Sequence, residues 1–219
     1  MIPLDISVPE TGKLTQLADD LYWARFDLPF RLNHINLYML DTPDGWCLID
    51  AGVNNEVTAA HWQMLLEGPL SGQPVAFILI THHHVDHMGY AGALESLTGA
   101  PCFSSAEEAV HGHWLFDLTP EEFGAILSRT YRWYGMPAET IQRVAQNGSR
   151  YRANASPLPI FQEMTAGEVI HSRAGAWEVR IDTGHSDAQI SLMDRQRNLF
   201  LSVDFLLPRI SPNISADIR

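Results

Sequence analysis

The chain has 219 residues and a formal net charge of −12, so it offers no basic surface for nucleic acid or for an anionic membrane. Its hydrophobic fraction of 46% and charged fraction of 18% are ordinary for a globular chain that forms one sizeable domain. Because no apolar run approaches the ~20 residues of a membrane helix either, we expect neither nucleic acid nor a membrane as partner.

The first part of the chain predicts strands that give way to alternating strands and helices. Branched, aromatic and other apolar residues predict strands at 21–26, 35–40, 46–49 and 75–80. Asn54 or Asn55 can cap a helix that runs to about Glu67, and a second helix ends at Gly99. This order predicts a β-rich half that turns into βαβ units.

The middle of the chain, residues 105–148, predicts three consecutive helices without an intervening strand. Ser105 with Glu108 and Thr119 with Glu122 match the capping-box pattern, and a third helix opens after Met136. The segment is rich in aromatic residues: Trp114, Phe116, Phe123, Tyr131, Trp133 and Tyr134. Those rings predict either a packed core or a lid whose side chains line a pocket.

Strands return in the last part of the chain, with predicted ranges 167–170, 177–181, 190–193 and 199–203. Two chemically important residues follow such strands. His185 lies on a turn after 177–181, and Asp204 ends the strand 199–203. Loops at the ends of strands are where α/β proteins usually place their ligands, so both residues are candidates for the site.

The strongest signal is the run from His82 to His87, which contains four histidines and one aspartate in six positions. It directly follows the apolar stretch 75–80, so it lies on a loop at the carboxyl end of a buried strand. Imidazoles together with a carboxylate suit zinc or iron better than calcium or magnesium. The loop therefore predicts a transition-metal site.

The ordered set of metal-ligand candidates resembles the motif of the metallo-β-lactamase superfamily, which is His-x-His-x-Asp-His, then a distant His, then an Asp. The matching residues are His82, His84, Asp86, His87, His185 and Asp204. The resemblance implies an α/β (α+β) fold, the four-layer αββα sandwich, as one domain over residues 1–219. Residues 105–148 would be a helical insert, and the C-terminal part looks incomplete.

The resemblance also implies a dinuclear zinc centre and a role for each residue. The first ion would be held by His82, His84 and His185, and the second by Asp86, His87 and a bridging Asp204. Asp50 matches a position that hydrogen-bonds a ligand histidine, and Asp86 would also orient the nucleophile or carry a proton. The implied reaction is hydrolysis by a metal-bound hydroxide.

Two positions depart from the family pattern. The family commonly has glycine before the bridging aspartate, where this chain has Val203, and it has a further histidine beyond that aspartate, which this chain lacks. We therefore expect the second metal site to be weaker than the first. His34 is the foremost candidate to replace the lost ligand, with His111 and His113 behind it.

Three functions remain open at this point. The first is a hydrolase of a small ester, thioester or lactone, similar to the hydroxyacylglutathione hydrolase and lactonase branches. The second is an oxidoreductase that resembles the persulfide dioxygenases, with Fe²⁺ held by His82, His185 and Asp204. The third is a catalytically silent remnant that still binds metal.

The compartment and the assembly can also be predicted. No signal peptide is visible, and Cys47 and Cys102 lie in apolar segments that favour two buried, reduced thiols. These features predict a cytoplasmic protein. The apolar end of the chain, 206–212, and the incomplete second half predict an uncovered edge or face, and hence a homo-oligomer.

Overall fold

The computed structural model describes residues 6–144, 153–155, 157–207 and 210–213. Most of the strands form one large sheet, whose strands neighbour each other in chain order: β1 (Thr15–Ala18), β2 (Leu21–Asp27), β3 (His34–Thr42), β4 (Gly45–Ile49), β5 (Val75–Leu79), β6 (Cys102–Ser104) and β7 (Gln162–Glu163). Strands β1 to β4 are antiparallel, and β4 to β7 are parallel.

The remaining strands form a second, antiparallel sheet in the order β11-β10-β9-β8. Their bounds are Val169–His171 for β8, Ala176–Asp182 for β9, Gln189–Asp194 for β10 and Leu199–Leu201 for β11. The helices are α1 (Glu56–Glu67), α2 (Val85–Met88), α3 (Ala91–Thr98), α4 (Ala106–Asp117) and α5 (Pro120–Trp133). A sixth helix, α6, begins at residue 138, and a 3-10 turn spans Val203–Phe205.

Within the described part of the chain, two clusters of buried side chains pack between three layers: the helices, the first sheet and the second sheet. Helices α1 and α3 contribute Trp62, Leu65 and Leu94 to a core against one face of the first sheet. The other face of that sheet packs against the second sheet through a cluster that includes Leu79 and Trp177. The resulting α-β-β arrangement is the core of the fold expected from the sequence motif.

The predicted strands and helices are present with small shifts in their ends. Asn55 caps α1 by accepting a hydrogen bond from the amide of Thr58 at 2.8 Å. The sequence did not reveal β1, β6 or β7, which are two to four residues long and too short to show a period. The last predicted strand ends early, at Leu201, because the chain turns into the 3-10 segment.

The helices predicted for residues 105–148 are present over the part of that range that the structure describes. Ser105 caps α4, and Thr119 with Glu122 forms a complete capping box on α5 with Pro120 at its start. The predicted end of the third helix lies outside the described residues. The aromatic residues divide into two groups. Phe123 is buried, and Trp114, Phe116 and Tyr131 pack around it or its neighbours, whereas Trp133 and Tyr134 are 80% and 56% exposed.

Some features bear on the compartment and the assembly. Cys47 and Cys102 are both free and buried, as the sequence predicted. In the part of the chain described here, none of the helices has the length and apolar character that crossing a bilayer requires. Val169 and Phe200, on the second sheet, are 46% and 38% exposed. The homo-oligomer stays a prediction.

Candidate metal centre

The candidate ligands converge because loops from both sheets meet at one end of the molecule. The loop of residues 82–87 follows β5, and Asp50 directly follows the neighbouring strand β4. His185 lies between β9 and β10, and Asp204 follows β11. The amide of Ile190 in β10 donates to the carbonyl of Thr81 at 2.9 Å, which holds the second sheet against the start of the histidine loop.

The first group of donors consists of His82, His84 and His185, whose ring nitrogens all lie within 4.8 Å of one another. Nε2 of His82 is 3.0 Å from Nδ1 of His84. Nε2 of His185 is buried and has no hydrogen-bond partner among the described residues. Two nitrogens that bind one tetrahedral zinc ion at about 2.0–2.1 Å lie roughly 3.3 Å apart, so this spacing fits a shared ion.

The second group of donors consists of His82, His87 and Asp204, again within 4.8 Å of one another. Oδ2 of Asp204 lies 3.7 Å from Nε2 of His87 and 3.4 Å from Nε2 of His185, so it stands between the two groups. Oδ2 of Asp86 is 3.8 Å from Nε2 of His87. Asp204 thus lies near one ring of each group, whereas Asp86 belongs to neither group and lies near His87.

Three of the rings are oriented through Nδ1, which leaves Nε2 directed at the centre. The partners are Thr81 Oγ1 for His82 at 3.0 Å, Asp50 Oδ2 for His87 at 2.8 Å and Asn213 O for His185 at 2.9 Å. The Thr81 hydroxyl donates to Asp50, so it accepts from the His82 ring. Such outer hydrogen bonds fix the tautomer and orientation of metal-binding imidazoles.

Asp50 supports the histidine loop at more than one atom. Besides His87, it accepts hydrogen bonds from the Thr81 amide at 2.8 Å and from the Thr81 hydroxyl. Its backbone has a φ of 66°, in the left-handed region, which aspartate tolerates better than most residues because its short side chain bonds locally. The predicted hydrogen bond between Asp50 and a candidate ligand histidine is therefore confirmed.

The electrostatics of the cluster favour a bound cation. Burial and then repulsion from neighbouring histidines lower the pKa of His82 and of His84 well below its usual value, so both rings keep a free lone pair at neutral pH. Burial opposes the charging of His87, but the carboxylates of Asp50 and Asp86 outweigh it and raise its pKa. Three acidic side chains around one imidazole create a negative potential that a metal ion would neutralise.

Asp204 is ionised in this environment. Burial raises the pKa of its carboxyl, but the proximity of His87 and the charges of the surrounding histidines outweigh burial and bring the pKa to about 2. Its side chain is 29% exposed, more than those of Asp86 or His87. Asp204 is therefore the most accessible of these three side chains.

The candidates for the missing histidine do not lie in the donor groups. His34 contacts the side chain of Asn33 at 2.7 Å, His113 contacts the carbonyl of Pro159 at 3.1 Å, and His111 stacks on His83. None of these three belongs to either group found among the described residues, so replacement by them is not supported.

The other departure from the family pattern is Val203. It does not displace Asp204, but its backbone has a φ of 46°, where glycine is favoured.

Some functional candidates were missed from the sequence. Glu108 bonds both metal-site loops, yet its only sequence signal was its place in a capping box, which predicts a helix start and nothing about a site. Asn213 acts through its carbonyl, which no side-chain pattern can reveal. Burial and the charges of Asp204 and Asp50 raise the pKa of Tyr38 to about 12.

Comparison with known proteins places the chain in a family. The family model of the metallo-beta-lactamase superfamily matches residues 31–218. The chain therefore belongs to the metallo-beta-lactamase superfamily, as the motif predicted.

Similar sequences include enzymes from bacteria. A hydroxyacylglutathione hydrolase of Pseudomonas entomophila (strain L48) is 33% identical over 136 residues, which are 60% of this chain and 46% of that protein. A probable metallo-hydrolase of Bacillus subtilis (strain 168) is 26% identical over 204 residues, which are 90% of this chain and 60% of that protein. The chain thus spans about half to two thirds of the length of these relatives.

Solved structures show the same fold. A beta-lactamase domain protein from Burkholderia ambifaria has a TM-score of 0.79 and 27% identity, over 95% of this chain and 62% of that one. A metallo-beta-lactamase family protein from Thermus thermophilus has a TM-score of 0.75 and 27% identity, over 92% of this chain and 64% of that one. The predicted fold class is confirmed.

Proposed function

We propose that the protein is a metal-dependent hydrolase of a small ester, thioester or lactone, with two zinc ions as its cofactor. The observation that carries the proposal is the position of Asp204, whose Oδ2 lies between Nε2 of His87 and Nε2 of His185. A single carboxylate oxygen between two histidine groups is the arrangement that two neighbouring ions need. The relatives named hydroxyacylglutathione hydrolase support a thioester as one of the substrates to test.

The proposed ligands divide between the ions as follows: His82, His84 and His185 for the first, Asp86 and His87 for the second, and Asp204 for both. Divalent ions there would lower the pKa of a bound water toward about 7 and polarise the substrate carbonyl. Nδ1 of His82 is held by Thr81, so only its Nε2 is available, and it serves one ion. This assigns His82 to the first ion, although it also lies near His87 and Asp204.

Side chains of the protein would orient the ligands and move the proton. Asp50 holds the His87 ring through Nδ1, so that Nε2 stays directed into the centre. Burial raises the pKa of Asp86, and its carboxylate faces the same space as His87 Nε2, where it can orient the attacking water and accept a proton from it. No serine or cysteine nucleophile is required for this chemistry.

The test begins with the metal content of the purified full chain. We expect zinc by elemental analysis, and turnover of at least one member of a panel made of an S-hydroxyacylglutathione, a p-nitrophenyl ester and an acyl lactone. His185→Ala should lose metal and activity together. The matched control is His171→Ala, because His171 is exposed on β8 and lies outside both donor groups.

Other outcomes would contradict the proposal. Iron as the bound metal, with oxygen consumed in the presence of a glutathione persulfide, would support the persulfide dioxygenase interpretation instead. A chain that binds zinc but hydrolyses no member of the panel would support the silent metal-binding remnant. Retention of full metal content in His185→Ala would contradict the ligand assignment itself.

A further inference from the structure

Helix α4 of the insert packs directly on the metal-site loops along one face. Its buried residues Glu108, His111, Gly112 and Leu115 follow the i, i+3, i+4, i+7 spacing of a single helix face. His111 stacks on His83 with ring centroids 4.0 Å apart and planes at 16°. A methyl group at Gly112 would lie 2.3 Å from Sδ of Met88, so α4 and α2 are in close contact and a larger residue there would have to displace the Met88 side chain.

Glu108 is the polar residue at the centre of this contact, and its side chain is 1% exposed. One carboxylate oxygen, Oε2, accepts from the His83 amide at 2.9 Å and lies 2.6 Å from Nδ1 of the same histidine. The other oxygen, Oε1, accepts from the amide of Ala188 at 2.8 Å. The two oxygens of one side chain are thus divided between the loop of residues 82–87 and the loop of residues 185–188.

Ser105 reinforces the second connection from the same end of the helix. Its hydroxyl donates to the carbonyl of Ala188 at 2.8 Å and also caps α4. Ala188 therefore has both its amide and its carbonyl bound by α4. His83 and Ala188 each lie within three residues of a proposed ligand, His82 or His84 on one loop and His185 on the other.

We propose that Glu108 is a positioning residue that ties the loop of residues 82–87 to the loop of residues 185–188, so that helix α4 sets the relative position of the proposed metal ligands. This inference rests on the proposed metal centre, which it extends to the helical insert. It also gives His83, the histidine between two proposed ligands, a role in the outer layer of the site. Changes in the insert would then alter the metal centre through one carboxylate.

The charge of Glu108 is consistent with this role. Burial opposes its ionisation, but the hydrogen bond from His83 and those from the amides of Ala188 and His83 outweigh burial and bring its pKa to about 2. An ionised carboxylate accepts at both oxygens, whereas the amide of glutamine accepts at only one. Glu108→Gln therefore removes one of the two connections with almost no change in size.

The first measurement is hydrogen–deuterium exchange of the metal-free full chain. In Glu108→Gln we expect the amides in 82–87 and 185–188 to exchange faster, while peptides from β2 and α1 keep their wild-type rates. The control is Glu107→Gln, because Glu107 is the exposed neighbour on the same helix turn and should leave both loops unchanged. Faster exchange throughout the chain would show a general loss of stability and would contradict the proposal, as would unchanged loops.

The second measurement is the affinity and the visible spectrum of bound cobalt(II). Changes in the residues that orient metal ligands typically weaken metal binding about 10–100-fold. We expect a loss of that size and an altered d–d spectrum in Glu108→Gln, and neither in Glu107→Gln. A spectrum and an affinity equal to those of the control would overturn the role of Glu108.

A milder variant covers the case in which Glu108→Gln does not fold. Glu108→Asp keeps the charge but is one methylene shorter, so its carboxylate cannot reach both loops. We expect one of the two loops to lose protection, and wild-type protection of both would overturn the proposal. If the wild-type chain binds no cobalt, the proposed function fails, and the exchange of the two loops still decides whether Glu108 connects them.

Discussion

Val203 shows how a single residue carries strain at the edge of the metal centre. It precedes Asp204, and its φ of 46° lies in the left-handed region, which branched residues rarely adopt. The left-handed conformation costs a residue with a Cβ roughly 1–2 kcal/mol. This backbone conformation of Val203 positions Asp204 near the two groups of donors. We therefore interpret it as local strain that the site requires.

A pair of substitutions tests this strain. Val203→Gly and Val203→Ala both remove the branched side chain, but only glycine relieves the backbone. A protein with glycine at a given position is normally less stable than the same protein with alanine there. At position 203 we expect the reverse, with the glycine variant more stable by roughly 1 kcal/mol. Urea unfolding of the two variants measures the difference. An alanine variant as stable as the glycine variant, or more so, would contradict the assigned conformation.

The sequence revealed the proposed ligands better than their supports. The proposed ligands could be selected from the sequence because ligand chemistry requires particular side chains in a particular order: His82, His84, Asp86, His87, His185 and Asp204. The supports at Thr81 and Asn213 act through a common hydroxyl and a backbone carbonyl, which many sequences would provide equally well. Such contacts depend on where the chain folds back, and no local pattern records that.

At the scale of whole elements, Arg197 connects the two sheets by pairing with Asp20, which lies far from it along the chain. Its guanidinium donates to both carboxylate oxygens of Asp20, at 2.6 and 2.8 Å, and to Asp194 at 2.7 Å, and it lies over the ring of Trp177. Asp20 follows β1, and Arg197 lies in the turn between β10 and β11. Among the described residues, Arg197 is the cation paired with both of these buried carboxylates.

We therefore expect Arg197→Ala to destabilise the protein strongly. It leaves Asp20 and Asp194 buried without their counter-charge, which costs about 3 kcal/mol, the lower end of the range for a broken buried pair. The lower end applies because the Arg197 side chain is 23% exposed. Thermal or urea unfolding measures the loss. Arg195→Ala is the control, since its pair with Glu178 is exposed, and equal losses in both variants would contradict the argument.

The aromatic residues of the insert allow packing to be separated from substrate choice. Trp133 and Tyr134 contact each other edge-on at 4.9 Å between ring centroids, and both are exposed, whereas Phe123 is 5% exposed. We expect Phe123→Ala to cost about 3–5 kcal/mol of stability. Trp133→Ala should leave stability and metal content unchanged and alter KM or substrate preference. Unchanged kinetics in Trp133→Ala would contradict a role of this surface in specificity.

Secondary structure could be predicted where the elements were long enough to show a period or a cap. The capping boxes at Ser105 and Thr119 and the apolar run before the histidine loop gave α4, α5 and β5. Strands β6 and β7 could not be predicted, because two or three residues show no alternation and form only beside an existing sheet edge. The distant contact between Glu108 and Ala188 depends on tertiary packing alone.

For the molecule as a whole, we expect one tightly held ion and one loosely held ion. His82 has a single available ring nitrogen, so the second ion has fewer nitrogen ligands than the first. Fewer protein ligands generally mean weaker binding. Elemental analysis before and after mild chelation measures the two occupancies. Two ions that both survive chelation would show that the second site is completed by a group outside the donors described above.

The accessibility of the two buried thiols to a labelling reagent can report how the layers of this protein separate. Cys47 and Cys102 lie on strands either side of β5, but Cys47 faces the second sheet and Cys102 faces the helices. Burial raises the pKa of both, that of Cys102 to about 12, so neither thiol reacts with a labelling reagent while the layers are closed. Labelling of Cys102 would report the helices leaving the sheet, and labelling of Cys47 would report the sheets parting. Because β5 leads into the histidine loop, added zinc should slow both reactions, and mass spectrometry of the labelled chain would show which face opens first.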